Sequence, residues 1–190
     1  MKKLRLVVTG NPGVGKHTAA KIIAKKLGAE IIDINKVAID GDAIAKETDR
    51  GLDVNVTKLS RLLAKLLKSK NNPIVVGHLA PYVLKSTGID MAAVLRRSPY
   101  ELERTLEKRG YDEAKIRENV SSEILGVSFY DALKTFGKRK VAEFDTTGKT
   151  PAQTADEIIS ALQHRTPRRK TVDWLMLVSE RGDIQRFFQY

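Results

Sequence analysis

Apolar and polar positions follow two alternating periods along the first half of the chain. KLRLVVTG predicts a short strand that ends at Gly10, and KHTAAKIIAKKLG has helical spacing up to Gly28. AEIIDIN and NPIVVGH predict a second and a third strand. Between them, VTKLSRLLAKLLKSKNN predicts an amphipathic helix with five leucines on one face: Leu59, Leu62, Leu63, Leu66 and Leu67.

The second half continues the alternation. MAAVLRR predicts a fourth strand, and SPYELERTLEKRG predicts a helix with Ser98 as N-cap and Pro99 at the first helical position. Apolar residues at Ile116, Val120, Ile124 and Val127 predict one long helix that ends at Gly137. RKVAEFDTT and AQTADEIISALQ predict a last strand and helix. This order predicts an α/β fold whose parallel sheet is covered by helices on both faces.

Composition narrows the class of protein. The chain has 190 residues, of which 42% are hydrophobic, and this suits one globular domain with a substantial core. Cysteine is absent, which excludes disulfides, thiolate metal sites and a cysteine nucleophile, and fits a reducing, cytoplasmic location. No apolar run is long enough to span a membrane, so no membrane partner is expected.

The net charge of +11 is unevenly distributed. Lysine and arginine outnumber aspartate and glutamate by 15 to 7 over residues 1–70, whereas the numbers balance over residues 71–163. Such an excess favours a polyanionic partner: nucleotide phosphates, RNA or an acidic protein surface. Solvated helix faces would explain the same lysines, since no pattern of stacking aromatic residues accompanies them.

The stretch GNPGVGK, from Gly10 to Lys16, lies between a predicted strand and a predicted helix and matches the phosphate-loop pattern. Gly13 and Gly15 allow backbone N–H groups to turn toward phosphate oxygens, and the helix N-terminus adds its positive dipole. Lys16 supplies a charge toward the β- and γ-phosphates. The alternative is a plain glycine turn with an exposed lysine.

The residues after Lys16 depart from the commonest pattern. Most phosphate-loop NTPases place Ser or Thr there to reach Mg²⁺, but here His17 intervenes and Thr18 follows. Nucleoside monophosphate kinases also tend to delay the threonine by one residue, so GKHT favours that class over GTPases. His17 is either a solvent-facing residue of the first helical turn or a metal ligand.

EKRGYDE is a charged, glycine-broken junction between two predicted helices. An arginine there could close over a phosphate during transfer while the segment excludes water, and Arg109 is the candidate. A helix-capping loop with solvated charges is the alternative.

Five segments together resemble a known family: TGNPGVGKHT, Gly77-His78, VLRRSP, EKRGYDEAKIRENVSSEI and TTGKTP. They resemble the small nuclear-type adenylate kinases that double as ATPases in small-ribosomal-subunit assembly, together with their archaeal relatives. The resemblance covers about residues 4–163. It implies the phosphate-loop fold of nucleoside monophosphate kinases, with a five-stranded parallel sheet. It divides the chain into a kinase domain (1–163), with an acceptor-nucleotide region (33–56) and a lid (108–118), and a C-terminal extension (164–190).

The resemblance also implies site residues and cofactors. ATP and Mg²⁺ are the expected cofactors, AMP or ADP the other nucleotide, and the metal ligands stay unassigned. Lys16, His78 and Arg109 are the expected catalytic residues, although His78 could equally be a structural histidine. The expected nucleotide-binding residues are Gly13, Gly15, Lys16, His17, Thr18, Arg109, Gly148 and Lys149. Turn chemistry would also explain Gly148.

Two positions depart from the family. Its acidic residue two before the histidine, which handles Mg²⁺ and the attacking water, is Val76 here, so Asp33 or an acid between Asp40 and Asp53 would have to substitute. Its acceptor-binding arginine is Ile39. The possible substitutes for that arginine are three cations: Lys36, Lys46 and Arg50.

Three functions therefore stay open. The first is an enzyme that moves the γ-phosphoryl of ATP to AMP and also hydrolyses ATP in rRNA maturation. The second is an ATP-driven assembly factor for a small-subunit ribosomal protein or rRNA, which the loss of the acceptor-binding arginine at Ile39 favours. The third is a nucleotide-gated binding module.

Beyond the resemblance, an apolar stripe near the C-terminus is either a helix docked on the core or a partner site; it consists of Trp174, Leu175, Leu177, Val178, Phe187 and Phe188. Arg168–Lys170 could contact RNA.

Overall fold

The computed structural model describes residues 4–48, 51–164 and 172–188. Two of the candidate basic positions, Arg50 and Arg168–Lys170, lie outside the described residues.

The described strands form two sheets. The larger contains β1 (Leu6–Thr9), β2 (Ile31–Asp33), β5 (Ile74–Val76), β6 (Met91–Arg96) and β7 (Val141–Asp145), in the order β2-β5-β1-β6-β7. All of its neighbours are parallel. The smaller sheet is an antiparallel hairpin of β3 (Ile44–Thr48) and β4 (Gly51–Val54). The predicted α/β fold with a five-stranded parallel sheet is therefore confirmed, whereas nothing in the sequence pattern predicted the hairpin.

Helices cover both faces of the larger sheet. Those in the first half are α1 (Lys16–Leu27), α2 (Ile34–Asp40), α3 (Val56–Ser69) and α4 (Ala80–Val83), which a 3₁₀ turn (Ser86–Gly88) follows. Those in the second half are α5 (Pro99–Glu107), α6 (Glu113–Ile124), α7 (Val127–Phe136), α8 (Pro151–His164), α9 (Trp174–Glu180) and α10 (Ile184–Phe188). Among the described residues, none of these helices combines the length and apolar character needed to cross a membrane.

The sheet separates two apolar clusters. One contains residues of α1, α5, α6, α8 and the C-terminal helices, such as Ile23, Leu102 and Ile158. The other contains residues of α2, α3, α4 and α7, such as Leu59 and Leu63. A parallel sheet buried on both faces favours nearly continuous apolar strands. The residues of β1, β5 and β6 are buried throughout, including the polar Thr9 and the charged Arg96.

The prediction of one long helix up to Gly137 is wrong. The helix breaks between Ile124 and Val127, where Gly126 adopts a left-handed φ of 68°. The main-chain oxygen of Glu123 accepts hydrogen bonds from Arg96 Nη2 at 2.7 Å and from the Gly126 N–H at 3.1 Å. A continuous helix would use that oxygen for the N–H four residues later, so the buried arginine ends α6.

Two further predictions concern the start of α5 and the apolar residues near the C-terminus. Helix α5 begins at Pro99 after Ser98, as predicted, but the Ser98 side chain makes no capping hydrogen bond. Most of the apolar stripe near the C-terminus docks on the core: Trp174, Val178 and Phe187 are buried and Leu177 and Phe188 are partly buried, whereas Leu175 is exposed.

Candidate functional site

The phosphate loop lies at the carboxyl edge of the central strand. β1 pairs with β5 on one side and with β6 on the other. The strands β2 and β5 are therefore added on one side of β1, and the strands β6 and β7 on the other side. Such a reversal in the order of the strands leaves a crevice in which ligands of parallel sheets bind. Gly13 and Gly15 adopt φ values of 90° and 94°, which side-chain-bearing residues rarely adopt, and α1 begins directly after them.

Lys16 is buried at the N-terminus of α1 and donates a hydrogen bond from Nζ to the main-chain oxygen of Asn11 at 2.7 Å. Burial lowers the pKa of Lys16 from 10.5 to about 8. The nearby charge of Glu123 opposes this shift, and that of Arg109 adds to it. A buried ammonium with little compensation is prepared to receive an anion.

A cavity of about 210 Å³ opens in front of Lys16. Its wall consists of Pro12, Gly13, Gly15, Lys16, His17, Thr18, Asn35, Gly77, His78, Arg109 and Tyr111. The structure thus brings seven of the predicted site residues to one cavity, which we call the phosphate cavity. The two others, Gly148 and Lys149, lie elsewhere.

His78 follows β5 and opens into the phosphate cavity, where its side chain makes no hydrogen bond with a described residue. His78 is exposed to solvent on one side, but partial desolvation by the surrounding protein lowers its pKa to about 4, and the charges of Lys16 and His17 add to that effect. The imidazole is therefore neutral at neutral pH and can donate or accept a hydrogen bond.

His17 has a partner that its position in the motif did not reveal. Its Nε2 lies 2.9 Å from Oδ2 of Asp33, and half of its side chain is exposed. The other carboxylate oxygen of Asp33 accepts hydrogen bonds from the N–H groups of Asn35 and Lys36 and so caps α2. Asp33 is also the register neighbour of Val76. A carboxylate therefore lies one strand away from the position where the family carries its acid.

Arg109 lies in the turn between α5 and α6 and is exposed. It lines the phosphate cavity and also a larger cavity of about 710 Å³, which we call the acceptor cavity. Five residues belong to both walls: Pro12, Asn35, His78, Arg109 and Tyr111. The two cavities therefore meet at the predicted catalytic histidine and arginine.

The acceptor cavity is more acidic than basic. Its wall carries two cations, Arg109 and Lys115. Against these stand four carboxylates: Asp53, Asp112, Glu118 and Asp131. Ile39 is 55% exposed and lies outside this wall. Of the proposed substitutes for the acceptor-binding arginine, the described part of the wall includes neither Lys36 nor Lys46.

Gly148 and Lys149 line a separate cavity of about 400 Å³ together with Arg97, Glu101, Arg104, Thr105 and Lys108. The Gly148 N–H donates to Glu101 Oε1 at 3.2 Å, and Lys149 Nζ to Glu157 Oε2 at 2.8 Å. A small cavity of about 50 Å³ lies between this region and the phosphate loop, since its wall includes Gly15, Arg97 and Lys149. The strongly basic wall of the cavity of about 400 Å³ suits an extended polyanionic ligand.

Three residues of the site escaped prediction. Arg97 donates from Nη1 to the Gly13 oxygen at 3.4 Å and from Nε to Glu101 at 3.1 Å. Its place in VLRRSP, one of the segments that carry the family resemblance, could have indicated it. Asn11 and Glu123 are hydrogen-bonded to each other across 112 residues of sequence. Among the residues that the structure describes, no group of three or more His, Cys, Asp or Glu side chains could hold a metal ion by itself.

Comparisons with known proteins identify the family and the fold. Residues 6–126, from β1 to the turn after α6, match the family model described as "AAA domain". A protein of Methanocaldococcus jannaschii named "Putative adenylate kinase" is 34% identical over 174 residues, which are 90% of this chain and 93% of that protein. A Thermococcus kodakarensis protein of the same name is 35% identical over 92% of this chain and 95% of its own length.

Solved structures show the same fold at lower identity. A shikimate kinase from Bacteroides thetaiotaomicron has a TM-score of 0.56 at 16% identity and covers 85% of this chain and 99% of its own. A gluconokinase from Sinorhizobium meliloti has a TM-score of 0.57 at 19% identity, over 85% and 93%. The fold is therefore that of phosphate-loop kinases. With its archaeal relatives matched over almost their full length, the chain belongs to the archaeal adenylate kinase family of nucleotide kinases.

Proposed function

We propose that this protein binds ATP at the phosphate loop and transfers its γ-phosphoryl group to AMP. The observation that carries this proposal is the common wall of the phosphate cavity and the acceptor cavity, to which His78 and Arg109 both belong. Phosphoryl transfer requires a donor and an acceptor phosphate to meet in a site that excludes water. Two adjoining cavities that meet at a cationic residue suit this requirement.

The proposed roles follow from each residue's place. The loop amides at Gly13 and Gly15 cradle phosphate oxygens, and Lys16 bonds the β- and γ-phosphates. Arg109, on the turn between two helices, supplies charge to the phosphoryl group in transit. The neutral imidazole of His78 orients the acceptor or an attacking water.

Further nucleotide contacts are part of the proposal. His17 and Thr18 would border the phosphates. Lys149 would border the base from the wall of the small cavity, and Gly148 from the adjoining cavity of about 400 Å³.

The donor set fits Mg²⁺. The Thr18 hydroxyl lines the phosphate cavity, and the Asp33 carboxylate lies behind His17. Hard oxygen ligands of this kind suit Mg²⁺, which keeps several waters and takes its other ligands from substrate phosphates. When bound, the ion neutralises charge on the β- and γ-phosphates. Thr18 and Asp33 are the residues we propose to hold it, Asp33 in place of the acid that Val76 replaces.

A second candidate function is ATP hydrolysis with little transfer to AMP. The acidic excess in the acceptor cavity, and the position of Ile39 outside its wall, favour this candidate, since an AMP phosphate needs cations. In this form the protein would use ATP to act on a small-subunit ribosomal protein or rRNA during maturation, in the cytoplasm. The family resemblance and the net charge of +11 support this part of the proposal.

The test is the rate of ADP formation from ATP and Mg²⁺ with and without AMP. We expect AMP to stimulate the rate, Lys16→Ala to abolish it, and Lys25→Ala, which removes an exposed lysine of the same helix, to leave it unchanged. Turnover that depends on Lys16 but not on AMP would favour the ATPase function. If no ADP formation depends on Lys16, both enzymatic functions are overturned and the nucleotide-gated binding module is left.

The ribosomal role has its own measurement. Cosedimentation with small ribosomal subunits should depend on ATP in the unmodified chain and lose that dependence in Lys16→Ala. Equal sedimentation of both proteins, or none, would contradict that role.

A further inference from the structure

The side chain of Asn11 ties the phosphate loop to two helices that follow the lid segment. Its Nδ2 donates to Glu123 Oε2 on α6 at 2.7 Å. Its Oδ1 accepts from Ser122 Oγ at 3.3 Å and from Ser128 Oγ on α7 at 3.0 Å. The main-chain oxygen of the same residue holds Lys16 Nζ. The position of the phosphate-binding ammonium therefore depends on the position of Asn11.

Glu123 is the centre of a fully buried polar network. Its exposed fraction is 0%, and its Oε1 accepts from Arg96 Nε at 2.7 Å and from the Arg97 N–H at 3.0 Å. Arg96 also bonds Glu143 on β7. A carboxylate with this many charged and neutral donors is held rigidly, because each of these hydrogen bonds is electrostatically stronger in a low-dielectric interior than in water.

The same carboxylate reaches the C-terminal helices. The indole Nε1–H of Trp174, at the start of α9, donates to Glu123 Oε1 at 3.2 Å. Trp174 is buried and is the single tryptophan of the chain. Its fluorescence therefore reports on this network without any introduced label.

We propose that Asn11 is a positioning residue for the phosphate loop, and that Glu123 couples it to Trp174, so that ATP binding and the C-terminal helices influence each other. This inference rests on the proposed binding of ATP at the loop. Three hydrogen bonds carry the coupling, from Lys16 to Asn11, from Asn11 to Glu123 and from Trp174 to Glu123. Because coupling free energies are reciprocal, loss of the bond from Trp174 to Glu123 should alter ATP affinity if ATP binding changes the free energy of that bond.

The first experiment measures ATP binding by calorimetry and the emission of Trp174 in the same samples. In the unmodified chain we expect emission to change with the midpoint of ATP binding. Asn11→Ala should weaken ATP binding about tenfold, because it removes a hydrogen bond to a charged group. At saturating ATP the emission change should be absent in this variant.

A milder variant protects the test against misfolding. Ser128→Ala removes one of the two hydroxyl donors to Asn11 Oδ1, and we expect it to weaken ATP binding about twofold to threefold. If thermal unfolding shows that Asn11→Ala does not fold, Ser128→Ala decides the matter by the same two readouts. Its emission change at saturating ATP should be reduced.

A matched pair tests the opposite direction. Trp174→Phe removes the donor to Glu123, and Tyr100→Phe removes a donor to Asp183 at 2.6 Å. Each variant keeps a buried or half-buried ring and loses one bond between the C-terminal segment and the rest of the chain. We expect Trp174→Phe to weaken ATP binding about twofold to threefold and Tyr100→Phe to leave it unchanged.

The outcomes separate this inference from the proposed function. If the unmodified chain binds no ATP, the proposed function fails and this inference with it. If it binds ATP but the Asn11 and Trp174 variants bind equally well, the positioning role and the coupling are both overturned while the proposed function stands. Equal weakening in Trp174→Phe and Tyr100→Phe would show general loosening of the C-terminal helices and would overturn the coupling.

Discussion

Removal of the buried ammonium of Lys16 should stabilise the folded protein at neutral pH. Folding lowers the pKa of this lysine from 10.5 to about 8, chiefly because burial desolvates the charge. The difference corresponds to about 3 kcal/mol of unfavourable free energy. Lys16→Met, which keeps the apolar stem and removes the charge, should therefore raise the free energy of unfolding at pH 7 by up to about 3 kcal/mol.

The pH dependence identifies the cause. Between pH 8 and 10.5 the unfolded chain holds a proton that the folded chain has released, so the stability of the unmodified protein rises with pH in this window. Below pH 8 both states are protonated and the full penalty applies. The advantage of Lys16→Met should therefore shrink by about 2 kcal/mol between pH 7 and pH 9.5.

Urea unfolding of the unmodified chain and of Lys16→Met at pH 7 and 9.5 measures this difference. Lys25→Met, which changes an exposed lysine of the same helix, should show no such dependence on pH. A Lys16→Met protein that is less stable than the unmodified chain at pH 7, or an advantage that does not change with pH, would refute the reasoning.

Three other predictions concern the loop, the cavity and the buried network. Gly13→Ala and Gly15→Ala impose similar backbone strain, but a Cβ at Gly13 would lie 2.6 Å from Leu102 Cδ1, whereas one at Gly15 meets nothing within 4 Å. In thermal unfolding, Gly13→Ala should therefore lower the free energy of unfolding by about 1–3 kcal/mol more than Gly15→Ala does. In NMR titrations His78 should protonate near pH 4, and neutralisation of the phosphate-loop lysine should raise that midpoint; a midpoint near 6.5 would contradict the account. Burial raises the pKa of Glu143, so the unmodified chain loses stability as this carboxyl ionises. In urea unfolding, Glu143→Gln should therefore gain stability relative to the unmodified chain as pH rises from 4.5 to 7. A stability difference that is constant or changes in the opposite direction would contradict the role of burial.

The sequence predicts most of the sheet and the phosphate loop because their signals are local. Apolar runs indicate the five parallel strands. The spacing of glycines and lysine from Gly10 to Lys16 is sufficient to indicate the phosphate loop. The amphipathic leucines of α3 also behave as their spacing predicts, with Leu59 and Leu63 fully buried.

Other features depend on contacts between distant residues. The break between α6 and α7 follows from Arg96, which takes the main-chain oxygen of Glu123 across 27 residues. Periodicity around Ile124 and Val127 carries no trace of that arginine. The bond between Asn11 and Glu123 spans a still longer separation, and the common wall that His78 and Arg109 share depends on the whole fold.

The most direct test of the central claim follows the γ-phosphoryl group itself. The unmodified chain would be incubated with ATP labelled at the γ-phosphate, Mg²⁺ and AMP, and the label in ADP and in inorganic phosphate would be counted. We predict that most of the label appears in ADP, through transfer across the common wall of the two cavities. Label found only in inorganic phosphate, at a rate indifferent to AMP, would contradict the kinase function.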